Sequence, residues 1–126
     1  MMFGLFRLSG RMNRFPYFMW TVFLNTLFPI IGILIVLSIL TVVSDNSNSE
    51  DLEITISVLG GVLVFVLCAI AQLAITVRRL HDIDTHGIVA FLLFTGIGIL
   101  MIFILWFIPG TRGNNKYGPD PLLKKE

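Results

Sequence analysis

The chain has 126 residues, of which 56% are hydrophobic and 13% are charged, and its formal net charge is +1. Its mean hydropathy is +0.88, whereas about a quarter of the residues in soluble domains are charged. This composition excludes an ordinary soluble domain. The sequence shows no concentrated basic face, so nucleic acid is not an expected partner.

Three apolar runs without a charged residue occupy more than half of the chain, at residues 17–43, 54–77 and 88–108. A helix needs about 20 residues to cross a hydrocarbon core about 30 Å thick, so each run is long enough to span a membrane. The sequence therefore predicts an all-α, multi-pass transmembrane protein. It would form a single membrane domain, residues 1–126, with three long hydrophobic helices and short polar loops.

The first run contains Pro29, four residues after Asn25. A proline removes the hydrogen bond to the carbonyl four positions earlier, so we expect a kink near Gly32. The Asn25 side chain would satisfy the freed groups or bond to a neighbouring helix. A kink that binds a substrate is the functional alternative.

The second run has Ser57 and Gly61 at a spacing of four, with Gly60 beside them. Small residues at this spacing let membrane helices approach closely. They predict packing within one chain, with a homodimer face as the alternative. Cys68, the single cysteine, is interpreted as a small buried apolar residue.

The third run has two glycines near its centre, in the segment 94–98, which reads Phe-Thr-Gly-Ile-Gly. One plain helix is the simpler prediction, but the glycines would also permit a broken or re-entrant hairpin. Non-helical backbone at that depth is tolerated only where protein covers it or water reaches it.

Loop charges predict the orientation, because cytoplasmic loops of membrane proteins are rich in Lys and Arg. Arg7, Arg11 and Arg14 precede the first run, whereas the loop 44–53 has four acidic residues and neither Lys nor Arg. The N-terminus is therefore predicted to be cytoplasmic and the acidic loop external. Three complete crossings would leave five Lys and Arg inside against four outside. A re-entrant third run would bring the polar tail, 109–126, inside, so the side of the tail stays open.

Four residues after the second run, His81, Asp82, Asp84 and His86, superficially resemble a metal site. The two histidines are five positions apart and would diverge on a helix. Asp82 and His86 could share a face, but they would supply only two ligands where a metal needs three or four. We therefore expect no metal and no other cofactor.

The polar segments carry three motifs in order along the chain. They are Gly-Arg-x-x-Arg at 10–14, Arg-Arg-Leu-His-Asp at 78–82 and Gly-Thr-x-Gly-x-Asn-x-Tyr-Gly-x-Asp-Pro at 110–121. Over almost the whole chain, these motifs resemble the domain of unknown function 805 family, small bacterial inner-membrane proteins. The resemblance implies a location in the bacterial inner (plasma) membrane, and the family has no established activity.

The chain also departs from the family pattern. After Asp82 the family usually continues Ile-Gly-Arg-Ser-Gly-Trp, whereas residues 83–88 here read Ile-Asp-Thr-His-Gly-Ile. His86 therefore stands where the family typically has serine, which further disfavours a metal site. An arginine of the family pattern is lost here and Asp84 is gained, so this loop is less suited than the family pattern to bind lipid phosphates.

If the tail lies inside, the three motifs would form one polar cluster at the cytoplasmic interface. Its predicted members are Arg11, Arg14, Arg78, Arg79, His81, Asp82, Asn115, Tyr117 and Asp120. Two interpretations stay open. The cluster is either a lock of salt bridges and turns that holds the helix ends together, or a binding site.

The leading functional hypothesis is a non-enzymatic inner-membrane protein, surrounded by membrane lipids, whose cytoplasmic cluster binds a partner protein or an anionic lipid headgroup. One alternative is an enzyme on a membrane-embedded substrate that uses His81 and Asp82 as an acid–base pair. Another is a small transporter or channel, which would have to be a homo-oligomer because three spans are few. The spans contain no charged residue to mark an ion path.

Overall fold

In a computed structural model, the described residues are 8–45 and 50–123. Arg7, Lys124, Lys125 and the centre of the predicted acidic loop, 46–49, lie outside them. The elements are α1 (Arg14–Val22), a π-helical segment (Phe23–Leu27), α2 (Phe28–Asp45), α3 (Glu50–Asp82), a 3-10 segment (Gly87–Phe94) and α4 (Gly98–Phe107).

Two stretches are long and apolar enough to cross a membrane. They are Arg14–Thr41 and Ile54–Asp82, with mean hydropathies of 2.5 and 2.7 in their most apolar windows. Only 6% of each window is buried within the structure, whereas a core helix of a soluble protein would be mostly covered by protein. Exposed apolar residues around a helix are typical of lipid contact. The predicted helical membrane fold is confirmed for these two helices.

The third run is not one long helix, and it takes the broken form that its glycines were expected to permit. This run divides into the 3-10 segment and the ten-residue helix α4, separated by residues 95–97. A Cβ added to Gly98 would lie 2.6 Å from the main-chain oxygen of Leu93. Only glycine allows the backbone to come this close, which is why the apolar run breaks here instead of continuing as one helix.

The first run changes its helical type just before its proline. The π-helical segment Phe23–Leu27 lies immediately N-terminal to α2, in which Pro29 is the second residue. A π-helical turn shifts the hydrogen-bond register, and such turns are a recognised cause of helix bending. The irregularity therefore centres on residues 23–27, upstream of the expected position at Gly32. Thr26 Oγ1 donates a 2.6 Å hydrogen bond to the Val22 carbonyl, which satisfies a main-chain acceptor at this turn.

The chain divides into two compact units. The terminal unit comprises residues 1–21 and 70–126, and the middle unit comprises residues 22–69. In the terminal unit, Tyr17, Ile75 and Leu105 are buried, and the Tyr17 hydroxyl lies 3.3 Å from Thr76 Oγ1. Aromatic contacts extend this core, since the Phe18 and Trp106 rings meet edge to face at 4.8 Å between centroids.

The middle unit contains an apolar cavity of about 350 Å³ between α2 and α3, and Ser57 and Gly61 are among its lining residues. No described atom lies within 4 Å of a Cβ added to Gly60 or Gly61. The close helix contact that we expected from these small residues is therefore not made among the described residues.

Candidate functional site: a polar cluster around Asp82

Asp82, the last residue of α3, is the centre of a buried ion cluster in the terminal unit. Arg11 Nε donates a 3.0 Å bond to Asp82 Oδ1, and one terminal nitrogen of Arg79 donates to Oδ2. The side chains of Arg11, Arg79 and Asp82 are each at most 3% exposed. Both carboxylate oxygens of Asp82 are therefore occupied by arginine.

Arg11 joins the N-terminal segment to the polar tail. Its terminal nitrogens donate to the main-chain oxygens of Gly113 and Thr111, each at 2.5 Å. One of them also donates to Thr111 Oγ1 at 3.1 Å. These charge-assisted bonds use the fork geometry that only arginine provides.

Arg79 holds the end of α4 in a similar way. Its Nε donates to the Leu105 carbonyl at 3.1 Å, and another nitrogen donates to the Ile108 carbonyl. The last carbonyls of a helix have no intrahelical partner, and a cation near them also complements the helix dipole. A third bond, to the Met12 carbonyl at 3.4 Å, ties the N-terminal segment to the same guanidinium.

The start of the tail lies directly beside the end of α3. The Thr111 N–H and hydroxyl both donate to the Asp82 carbonyl, at 2.8 and 2.9 Å. A Cβ added to Gly110 would clash with Asp82 Oδ2, so glycine is required at this position. The third run thus leaves the end of α3 and returns to it, forming a hairpin.

The remaining motif residues surround the buried ions. The Asn115 side chain donates to the His81 carbonyl at 2.8 Å, and the His81 and Tyr117 rings stack at 3.9 Å between centroids. His81 Nδ1 also lies 3.3 Å from the Gly10 carbonyl. His81 therefore contacts both the N-terminal segment and the tail.

Asp120 organises the turn at the end of the tail motif. Its carboxylate accepts hydrogen bonds from the N–H groups of Gly113 and Leu122, both at 2.9 Å. These bonds, that of Leu122 first, lower the pKa of Asp120 below its ordinary value, since they favour the ionised carboxylate. At neutral pH Asp120 is therefore ionised, the state in which its carboxylate accepts both of these hydrogen bonds.

The structure brings all three motifs together. Arg79, Asp82 and Arg11 form the buried ions, and His81, Asn115, Tyr117 and Asp120 surround them. Arg78 contributes its carbonyl, which accepts from the Met12 N–H at 3.1 Å. Arg14 lies at the edge of the cluster with an exposed side chain.

The list of cluster members predicted from the sequence did not include Thr111, Gly113 and Arg112. Thr111 and Gly113 contribute main-chain oxygens to Arg11. Every residue has a main-chain oxygen, so this role cannot be recognised from the residue type. Their place in the tail motif was the available signal. Arg112 is exposed and, with Asn13, borders a small cleft beside Asp82 and Asp120.

The arrangement supports structural ion pairing better than acid–base chemistry. Asp82 accepts from two arginines, and His81 stacks on Tyr117 instead of facing the Asp82 carboxylate. Among the described residues, no group of three or more His, Cys, Asp or Glu is placed to hold a metal ion. Arg14 and Arg112 remain exposed beside the buried ions, and they are called the basic edge below.

The chain is similar in sequence to known membrane proteins. The sequence profile of a family described as "Protein of unknown function (DUF805)" matches residues 5–119. The Escherichia coli K12 inner membrane protein YhaI is 46% identical over 50 residues, which cover 39% of this chain and 42% of YhaI. Inner membrane protein YhaH of the same strain is 42% identical over 65 residues, 51% of this chain and 50% of YhaH. The matches thus span half or less of these relatives, and no solved structure matches.

Proposed function

The chain belongs to the DUF805 family of proteins of unknown function, and from this premise we propose a membrane role for it. It is an inner-membrane protein that crosses the bilayer twice and holds its third apolar run as a re-entrant hairpin. Both ends of the chain face the cytoplasm, where an exposed basic edge binds anionic lipid headgroups. The buried ion cluster locks the helix ends in place and does not itself bind the ligand.

The hairpin supports the two-crossing topology. Its 3-10 segment of eight residues advances about 16 Å at 2.0 Å per residue. Its ten-residue return helix α4 covers about 15 Å. Either length is about half of a 30 Å hydrocarbon core, and the contacts between Thr111 and Asp82 close the hairpin at its base. A run that enters half-way and returns leaves the tail on the side of Asp82.

Charge supports the same topology. Every Lys and Arg among the described residues lies in the terminal unit, whereas the loop 44–53 carries only acidic charges. Three crossings would divide the Lys and Arg five to four. With a re-entrant third run, all nine flank the membrane on one side. The distribution of Lys and Arg is then completely one-sided, and by the positive-inside rule that side is the cytoplasm.

The observation that carries the headgroup proposal is a pair of exposed guanidinium groups, those of Arg14 and Arg112. Among the described residues, neither forms an ion pair or a side-chain hydrogen bond. The buried Arg11 and Arg79 have their donors committed to Asp82 and to main-chain oxygens. Exposed arginines at the cytoplasmic end of apolar helices attract lipid phosphates, at about 1 kcal/mol each.

The experiment is native mass spectrometry of the purified protein, titrated in mild detergent with phosphatidylglycerol or phosphatidylcholine. Wild type is expected to retain more phosphatidylglycerol. The double variant Arg14→Gln with Arg112→Gln should lose about fivefold in affinity per arginine, given about 1 kcal/mol each. The double variant Arg14→Lys with Arg112→Lys is the matched control. It keeps the charges and should retain most of the preference.

Two further measurements distinguish a lipid headgroup from free phosphate and from a protein partner as the ligand. Excess inorganic phosphate should not displace the lipid if the headgroup is held at a membrane surface. If the glutamine variant retains phosphatidylglycerol as wild type does, the proposal is wrong. If that variant instead loses a co-purifying protein, the basic edge binds a protein and the lipid proposal is likewise overturned.

A further inference from the structure

The tip of the hairpin has main-chain polar groups that the described part of the chain does not satisfy. The turn contains two main-chain hydrogen bonds, from the Thr95 N–H to the Leu92 carbonyl and from the Gly98 N–H to the Thr95 carbonyl, both at 3.0 Å. Among the described residues, nothing pairs with the N–H groups of Gly96 and Ile97 or with the carbonyl of Gly96. Helix α4 begins here, so its first turn adds N–H groups without intrahelical partners.

The position of the tip makes these groups costly. The tip lies about 16 Å from the base of the hairpin along the 3-10 segment, which is near the middle of a hydrocarbon core about 30 Å thick. Lipid offers no hydrogen bonds, so a main-chain group left unsatisfied there is strongly unfavourable. Irregular backbone at this depth is found only where protein covers it or where it lines a water-filled cavity.

The surroundings of the tip are apolar and leave room for another protein to approach. Phe94, Ile97 and Ile99 are 64%, 54% and 69% exposed, so the polar groups are flanked by apolar side chains. No described atom lies within 4 Å of a Cβ added to Gly96. Another backbone could therefore approach Gly96 closely.

We propose that two copies of this chain pair tip to tip, with the N–H groups of Gly96 and Ile97 and the carbonyl of Gly96 in one copy bonded to those of the other. The unpaired set contains both donors and an acceptor, so it is complementary to itself. A two-fold symmetric interface requires this property, since the same patch is used on both subunits. The inference rests on the re-entrant hairpin proposed above, which places the tip in lipid.

The test is cysteine cross-linking in native membranes, in a Cys68→Ala background that removes the single native thiol. Ile97→Cys should give a cross-linked dimer on mild oxidation. Ile104→Cys is the matched control, because Ile104 is 55% exposed against 54% for Ile97 but lies further along α4. It should cross-link several-fold less.

A second substitution tests the close approach directly. Gly96→Val adds bulk where the monomer has open space, and the φ of Gly96 is not left-handed, so the variant should fold normally. Added to the Ile97→Cys chain, it should reduce the dimer several-fold. The same change at Gly32, which also has open space around it, should not.

Each other outcome overturns the inference in a recognisable way. A cross-link from position 97 to a different protein would mean that another chain covers the tip. Rapid labelling of the Ile97→Cys variant by a membrane-impermeant maleimide would mean that water satisfies the tip. Equal cross-linking at 97 and 104 would indicate random collision. None of these results shows on which side of the membrane the tail lies. The proposed topology is therefore tested separately, by locating the C-terminus.

Discussion

At the scale of single residues, Asp82 determines how the polar end of the terminal unit is held. Two arginines from different segments share its carboxylate, and their remaining donors reach main-chain oxygens of α4 and the tail. A buried arginine without a carboxylate is strongly destabilising, because its desolvation is no longer compensated. The three motifs are therefore coupled through one acidic side chain.

Asp82→Asn tests this coupling. The substitution keeps the shape of the side chain but leaves Arg11 and Arg79 buried without a negative partner. We expect a loss of about 3–5 kcal/mol in stability, seen as a lower unfolding temperature in mild detergent and as faster proteolysis of the tail.

The matched control for Asp82→Asn is Asp84→Asn. Asp84 forms a half-exposed ion pair with Lys116 at 3.7 Å, which is worth at most about 1 kcal/mol. Asp84 also has a φ of 58°, a left-handed conformation that asparagine tolerates well. Equal unfolding temperatures for the two variants would show that the buried cluster is not what holds the unit together.

Much of this cluster could be predicted from the sequence, but its organisation could not. The three motifs indicated which residues would meet, since Arg11, Asp82 and Asn115 all belong to them. The sequence did not show that Arg11 and Arg79 are buried, because burial depends on where the tail returns. It also could not show the bonds from Arg11 to the carbonyls of Thr111 and Gly113, since a carbonyl has no sequence signature.

At the scale of elements, the third apolar run shows the limit of hydropathy. Its composition predicts a spanning helix, and within the run itself only the glycines at 96 and 98 indicate otherwise. Glycine within an apolar run is also common in membrane helices, so the pattern could not distinguish a packed helix from a hairpin. What decides between them is the contact of Gly98 with the Leu93 backbone.

Gly98→Ala should therefore open the turn. Its Cβ would lie 2.6–2.9 Å from main-chain atoms of Leu93, which cannot move without displacing the 3-10 segment. Overpacking of this kind costs about 1–3 kcal/mol. We expect a lower unfolding temperature in mild detergent and faster hydrogen exchange across Gly87–Phe107.

Gly96→Ala is the matched control for Gly98→Ala. It makes the same change two residues away, where a Cβ meets open space and φ is not left-handed. Monomer stability should therefore be close to wild type. If the two alanine variants exchange at the same rate across the run, the close contact at Gly98 does not maintain the hairpin.

At the scale of the whole molecule, the charge distribution and the hairpin geometry independently support the proposed two-crossing topology. The hairpin returns Thr111 to Asp82, and the contacts of Arg11 place the N-terminal segment there as well. The Lys and Arg distribution is balanced under three crossings and completely one-sided under two. A balanced distribution gives a nascent chain no orientation signal, whereas a one-sided distribution gives a strong one.

Reporter fusions after Glu126 test this topology most directly. A reporter that is active only in the cytoplasm should be active there, and one that is active only outside should be silent, because the tail shares a side with Arg11 and Asp82. The same pair of reporters fused within the loop 44–53 should give the opposite result, which controls for expression and insertion. An external C-terminus would mean that the third run crosses fully in the cell, and the contacts between Arg11, Asp82 and Thr111 could not then form in one membrane-inserted chain. With a cytoplasmic C-terminus, the buried ion cluster would be assembled on the face where the basic edge can meet anionic lipid.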